Sequence, residues 1–270
     1  MFGQTPLHIA ARKNQKTLEL IFSEFGEDLQ QPGLLLCDEY GNTFLHTLIN
    51  SHFSREEFQG EKIDISLLKS ILENKYKNCP PETRKAILES KNRVGNTPLH
   101  LVFQDCLDSE YARTVFELFL KAGTNINSRN SLGETVLHFL MVVYWSYHEL
   151  AKIAVKRGSK VNVRSIFGES EIFIVPLHDL PYTESTISDT DYLQFLKVSG
   201  SDTNTCNRIG QTAVMLHFKD IFFNLNSLNK VFDNKMIIVN RNNFWEYFIT
   251  TNIAGKARDT PRAIINTCTS

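Results

Sequence analysis

Short apolar runs at helical spacing alternate along this chain with polar turns centred on glycine. After Pro98, the residues Leu99, Val102 and Phe103 fall on one face of a helix. Thr5, Thr43, Thr97 and Thr135 stand just ahead of such faces, where a hydroxyl can accept a main-chain N–H at a helix start. Pro6 and Pro98 follow at the first helical position, where the missing N–H costs nothing. Gly123, Gly158 and Gly200 stand where later apolar runs must stop, and glycine accepts the left-handed conformation that ends a helix. The pattern predicts helix pairs joined by loops. One pair cannot cover its own apolar face, so successive pairs must stack.

The units are copies of one another. Gly3-Gln4-Thr5-Pro6-Leu7-His8 returns as Gly41-Asn42-Thr43-Phe44-Leu45-His46. It returns again as Gly95-Asn96-Thr97-Pro98-Leu99-His100 and as Gly133-Glu134-Thr135-Val136-Leu137-His138. Weaker copies begin at Gly168 and Gly210, and the glycines step by 38, 54, 38, 35 and 42 residues. Between them lies a second motif, seen at Leu118–Asn127, Ala154–Asn162 and Phe195–Asn204. The alternation of the two motifs resembles the ankyrin repeat, from Gly3 to about Thr212. The resemblance implies an all-α solenoid of about six stacked helix-turn-helix units with hairpin loops. It also implies that His8, His46, His100, His138 and His178 bond to main chain in adjoining loops and hold repeat to repeat. Asn127, Asn162 and Asn204 match a repeat-end asparagine whose default role is a turn-forming hydrogen bond. In other members of the family that asparagine can be hydroxylated.

Departures from the pattern define the expected organisation. Residues 1–209 are read as repeats, with insertions near 53–62, 78–90 and 171–191. Phe53 to Lys62 lengthens the link between two helices. Cys79-Pro80-Pro81-Glu82 breaks the chain before a short helical turn at Lys85 to Glu89. Glu171 to Ile174 is read as inserted ahead of a new helix start at Val175-Pro176-Leu177-His178. Residues 210–270 are read as a divergent terminal repeat that caps the stack, with Met215 in the histidine place. Divergent arrays with insertions resemble those of proteins that intracellular bacteria deliver into host cells.

Composition adds little that is positive. With 29 basic and 30 acidic residues, the chain has no electrostatic reason to favour nucleic acid or an anionic membrane. No apolar run approaches the roughly 18 residues of a membrane span. Five cysteines without a Cys-x-x-Cys pair suggest neither a zinc site nor a disulfide framework, and fit a reducing cytoplasm. No phosphate loop, kinase, hydrolase or cofactor signature is present.

The candidate binding residues lie next to the repeat glycines. Phe2, Tyr40, Val94, Leu132, Phe167 and Ile209 each precede one; the ankyrin resemblance places this position on the hairpins, where six stacked copies would form an apolar stripe along the concave side. Glu39, Arg93, Ser131, Ile166 and Arg208 stand one residue earlier and vary in character, as specificity-setting positions do. The alternative is that the stripe packs on neighbouring hairpins and only stiffens the array. The expected function is a monomeric, non-enzymatic module that binds a partner protein or peptide, with no metal or cofactor. A second expectation makes the array the targeting arm of a larger effector or regulatory enzyme, acting in host cytosol if delivered there. A thiol enzyme is the rival chemistry, and it would have to draw on Cys106 with His148 or Cys206 with His217.

Overall fold

The computed structural model describes residues 3–13, 15–24, 32–53, 65–75, 80–104, 109–142, 148–174, 195–202 and 204–213. The chain divides into two units, Met1–Ile166 and Phe167–Ser270. The boundary expected at 209/210 falls within the second unit, and the cap expected after it lies outside the described residues, apart from 210–213.

In the first unit the threonine-proline starts become helix starts. Helices α1 (Pro6–Lys13), α3 (Phe44–Phe53), α6 (Pro98–Val102) and α8 (Val136–Val142) each open directly after a signature threonine. They pack in chain order, α1 on α3, α3 on α6 and α6 on α8. Each is followed in the chain by a further helix: α2 (Gln15–Glu24), α4 (Ser66–Lys69, widening into a π-helical turn at Ser70–Lys75), α7 (Ser109–Ala122) and α9 (His148–Lys156). Helix α7 packs on that π-helical turn as well as on α6.

The stacking follows from the spacing of apolar residues. In α7, Tyr111, Ala112, Val115, Phe116, Leu118, Phe119 and Ala122 are buried, while Arg113 and Glu117 pair on the outer side at 3.4 Å. Phe103 and Phe116 meet edge-on, ring centres 5.4 Å apart. Full burial of each such phenylalanine contributes about 1.5–3 kcal/mol, more than that exposed ion pair can add.

Two expectations change here. The expected helical turn at Lys85 to Glu89 is longer: α5 spans Pro81–Leu88, with Pro81 in its first turn and Ile87 and Leu88 buried. Proline at that position has no N–H to lose, so the proline pair starts the helix as well as breaking the one before. Helix α5 packs on a 3₁₀ turn at Pro32–Leu35 that precedes the hairpin of the unit before. The insertion expected at 53–62 lies outside the described residues, except Phe53, which ends α3.

In the second unit, helix α10 (Glu171–Ile174) starts at the four residues expected to be an insertion. Ser170 takes the threonine place, and Phe173 N–H donates to Ser170 O at 3.0 Å, as His138 N–H does to Thr135 O at 2.9 Å. Burial of Ile172 and Phe173 explains the earlier start, because these side chains supply the apolar face that the sequence reading sought further on. The later signature Val175–His178 and the rest of the expected insertion lie outside the described residues. A helical turn at 195–198 follows, and the described residues contain no β-strand, only a bridge between Cys206 and Thr212.

Candidate functional site

Four of the hairpins are built by one side chain that the repeat signature does not include. Asp38, Asn92, Asn130 and Asn207 lie three residues before a repeat glycine. In every case Oδ1 accepts two main-chain N–H groups: Tyr40 and Asn42, Val94 and Asn96, Leu132 and Glu134, Ile209 and Gln211. This is an Asx-type turn, and it directs the residue before the glycine outward. The period of Asp/Asn at this register was present in the sequence and could have been found.

The hairpins are tied in a row. Within the first unit, Arg93 N–H donates to Tyr40 O at 2.9 Å, Ser131 N–H to Val94 O at 3.1 Å, and Ile166 N–H to Leu132 O at 2.7 Å. Asn92 Nδ2 donates to Asn42 Oδ1 and Asn130 Nδ2 to Asn96 Oδ1, both at 3.1 Å. The main chain of each stripe residue is thus engaged, yet the side chains stay in solvent. Tyr40 is 55% exposed, Val94 57% and Leu132 41%. In the second unit Arg208 N–H donates to Phe167 O at 2.9 Å, and Phe167 and Ile209 are exposed. Arg93, Ser131, Ile166 and Arg208 are exposed as well, and Glu39 is half-buried. Phe2 lies outside the described residues.

Behind the hairpins, the signature histidines form a second row of ties. Thr5, Thr43, Thr97 and Thr135 each donate their main-chain N–H to Nδ1 of the histidine three residues on, at 3.1–3.2 Å. The threonine hydroxyls lie 2.7–3.0 Å from the same nitrogen. A main-chain N–H can only donate, so Nδ1 carries no proton and Nε2 carries it. Nε2–H then donates to the next repeat: His8 to Asn42 O at 2.7 Å, His46 to Asn96 O at 3.0 Å and His100 to Glu134 O at 3.4 Å. Burial pushes the His46 and His100 pKa down to about 4, against partial support from the accepting carbonyls. These imidazoles are neutral struts between repeats.

The link from Thr135, with Gly133 ahead of it, to His138 completes the same box, and His52, His148, His178 and His217 have no described side chains. Asn127 does more than turn the chain: its Nδ2 donates to Gly158 O at 2.9 Å and its Oδ1 accepts Lys160 N–H at 2.8 Å, at the end of the following repeat. Gly123, Gly158 and Gly200 end their helices at φ +90, +94 and +91. Among the described residues, no three His, Cys, Asp or Glu side chains converge. Cys206 is disulfide-bonded, contrary to the expectation of unpaired thiols, and so is no free nucleophile. Exposed Cys37 keeps a thiol pKa raised above 9.0 by desolvation and by Asp38. Cys106 lies outside the described residues.

The capping box makes a testable contrast. Where histidine is replaced by Phe173, the Ser170 hydroxyl is buried without a hydrogen-bond partner among the described residues. Thr135→Ala is expected to cost about 1–2 kcal/mol in urea unfolding, and Ser170→Ala to be neutral within about 0.5 kcal/mol, since no bond is lost. Equal losses would mean that the hydroxyl–imidazole contact stabilises nothing.

A model of the ankyrin-repeat family matches residues 2–31. Ankyrin repeat protein OPG189 of Variola virus is 27% identical over 155 residues, 57% of this chain and 24% of the relative; a second Variola virus sequence of that name matches equally. Residues 2–31 thus match ankyrin-repeat sequence, and the described residues that follow present the hairpin edge and stacked helices of that fold. Ankyrin repeats are in general protein–protein interaction modules. No described helix is long and apolar enough to cross a membrane.

Proposed function

We propose that this chain is a non-enzymatic interaction module that grips a partner protein or peptide along its hairpin edge. One observation carries the reading: Tyr40, Val94 and Leu132 are exposed at equivalent positions of three consecutive hairpins whose main chains are bonded to one another. Apolar side chains held outward in a row favour a partner that buries them. A preformed edge reduces the ordering cost of binding. Glu39, Arg93 and Ile166 supply specificity beside that stripe in the first unit; in the second unit Phe167, Arg208 and Ile209 form an edge of their own, with tyrosine and arginine as the strongest contributors. The module works as a monomer and uses no cofactor.

The test is a combined variant, Tyr40→Ser with Val94→Ser and Leu132→Ser. Its melting temperature is expected to stay within about 4 °C of the parent, since exposed positions carry little stability. Affinity capture from cell lysate, read by mass spectrometry, is expected to lose its specific partners. A collapse in stability, or unchanged capture, overturns the reading.

A second reading makes the repeats the targeting arm of a larger effector or regulatory enzyme, delivered into a host cell. It draws on the divergent, insertion-bearing repeat pattern; the stretch matched in the relatives accounts for 24% of their length.

A further inference from the structure

The hairpin edge of the first unit is basic as well as apolar. Four residues before successive hairpin glycines stand Lys91, Arg129 and Arg164, all exposed. Lys91 Nζ donates to Arg129 O at 2.6 Å, and the Arg129 guanidinium donates to Arg164 O and, through Nε, to Gly133 O at 2.9 Å. The Lys91 and Arg129 side chains therefore lie across the edge from one repeat to the next. Their partners are carbonyls, which orient a cation without cancelling its charge. Among the described residues, no carboxylate lies within ion-pair distance of Lys91, Arg93 or Arg129. Arg93 adds an exposed cation directly beside Val94.

We propose that this edge takes an extended acidic peptide with an apolar residue at every third position. The inference rests on the interaction reading above and names the chemistry of the partner. Hairpins follow their helices, and packed helices lie about 8–10 Å apart. A polyproline II chain advances about 9 Å in three residues and returns to the same side. Each third side chain thus meets the next of Tyr40, Val94 and Leu132. A β-strand reverses its face at every residue, so its third side chain would point away. Carboxylates between the apolar residues pair with Lys91, Arg93 and Arg129, and arginine can take them in bidentate fashion. Single-stranded nucleic acid would satisfy the cations but needs aromatic platforms for its bases, and Val94 and Leu132 are aliphatic.

Fluorescence anisotropy on the full chain tests this with a labelled peptide of four Leu-Glu-Pro triplets. The comparators are Leu-Lys-Pro and Ser-Glu-Pro peptides of the same length and a single-stranded oligonucleotide. The acidic apolar peptide is expected to bind saturably, about tenfold or more tighter than the lysine peptide at low salt, and to weaken as salt rises. Lys91→Glu combined with Arg93→Glu is expected to remove or invert that preference. If that variant does not fold, Arg93→Gln alone, at an exposed side chain, is expected to narrow it. Equal affinity for the acidic and lysine peptides overturns the inference while leaving an apolar binding edge. Equal affinity for Leu-Glu-Pro and Ser-Glu-Pro overturns the three-residue register. Tighter oligonucleotide binding, or no saturable binding of the acidic peptide, overturns the inference whole. Failure of the interaction reading itself registers separately, as unchanged partner capture by the serine-substituted stripe.

Discussion

Lowering the pH from 7 to 4 is expected to unfold the first unit, with most of the early loss set by two histidines. His46 and His100 are buried, and their folded pKa lies near 4 against an ordinary value of 6.5. The cause is first desolvation. The accepting carbonyls of Asn96 and Glu134 oppose it, as do Asp38 at His46 and the Ser128 carbonyl at His100. His8 at His46, and Lys91 and His138 at His100, add to it. The unfolded chain therefore binds protons first as the pH falls. Stability is complete above about 6.5, declines by roughly 1.4 kcal/mol per pH unit per histidine below that, and stops declining on this account below about 4. The full effect is on the order of 3 kcal/mol per histidine, a large fraction of the 5–15 kcal/mol typical of a folded domain. Urea unfolding followed by circular dichroism at half-unit steps from pH 7 to 5 isolates the imidazoles, because most carboxylates titrate lower. A flat stability profile across that window would show that the two rings are not buried neutral struts. The variant His46→Asn with His100→Asn is expected to start less stable at pH 7 and to show a shallower slope.

Gly95→Ala is expected to destabilise the chain by about 3 kcal/mol or more, whereas Gly123→Ala costs only about 1–2 kcal/mol. Both glycines have left-handed backbones, at φ +77 and +90. The strain of placing alanine there is common to both. What differs is the neighbourhood. A Cβ on Gly95 would meet Ser131 N at 2.3 Å and Asn130 C at 2.9 Å, whereas nothing lies within 4 Å of one on Gly123. The atoms that must yield at Gly95 belong to the next hairpin, whose Ser131 N–H donates to Val94 O. Pushing the two hairpins apart breaks that bond and those beside it, so the interface between repeats is lost along with local geometry. Thermal melts of the two variants side by side decide the point, and similar melting temperatures would mean that the hairpins do not depend on close approach at Gly95.

The sequence carried the repeat in full wherever local chemistry sets it. Threonine before a helix, proline in its first turn, glycine after its end and histidine three residues on are decisions within one short segment, so spacing alone revealed them. The outward residues are different: the repeat register singled out Tyr40, Val94 and Leu132 beside the glycines, and the ankyrin resemblance implied their place on the hairpins. At Ser170 the local signature is incomplete, with phenylalanine replacing histidine, and the helix starts earlier than that signature predicts. At Pro80 and Pro81 the breaking of one helix was legible and the starting of α5 was not. Whether Ile87 and Leu88 justify a helix depends on the preceding unit's 3₁₀ turn lying against them, 50 or so residues away in sequence.

What the sequence by itself determined is the type and order of the units, because hydrogen bonding at helix ends and the burial of an apolar face act over a few neighbouring residues. What only the tertiary structure decided is how one unit grips the next. The N–H of Arg93 on the carbonyl of Tyr40, the imidazole of His46 on the carbonyl of Asn96, and Lys91 laid against Arg129 join residues remote along the chain. Their geometry exists only once stacked helices bring successive hairpins within hydrogen-bonding distance.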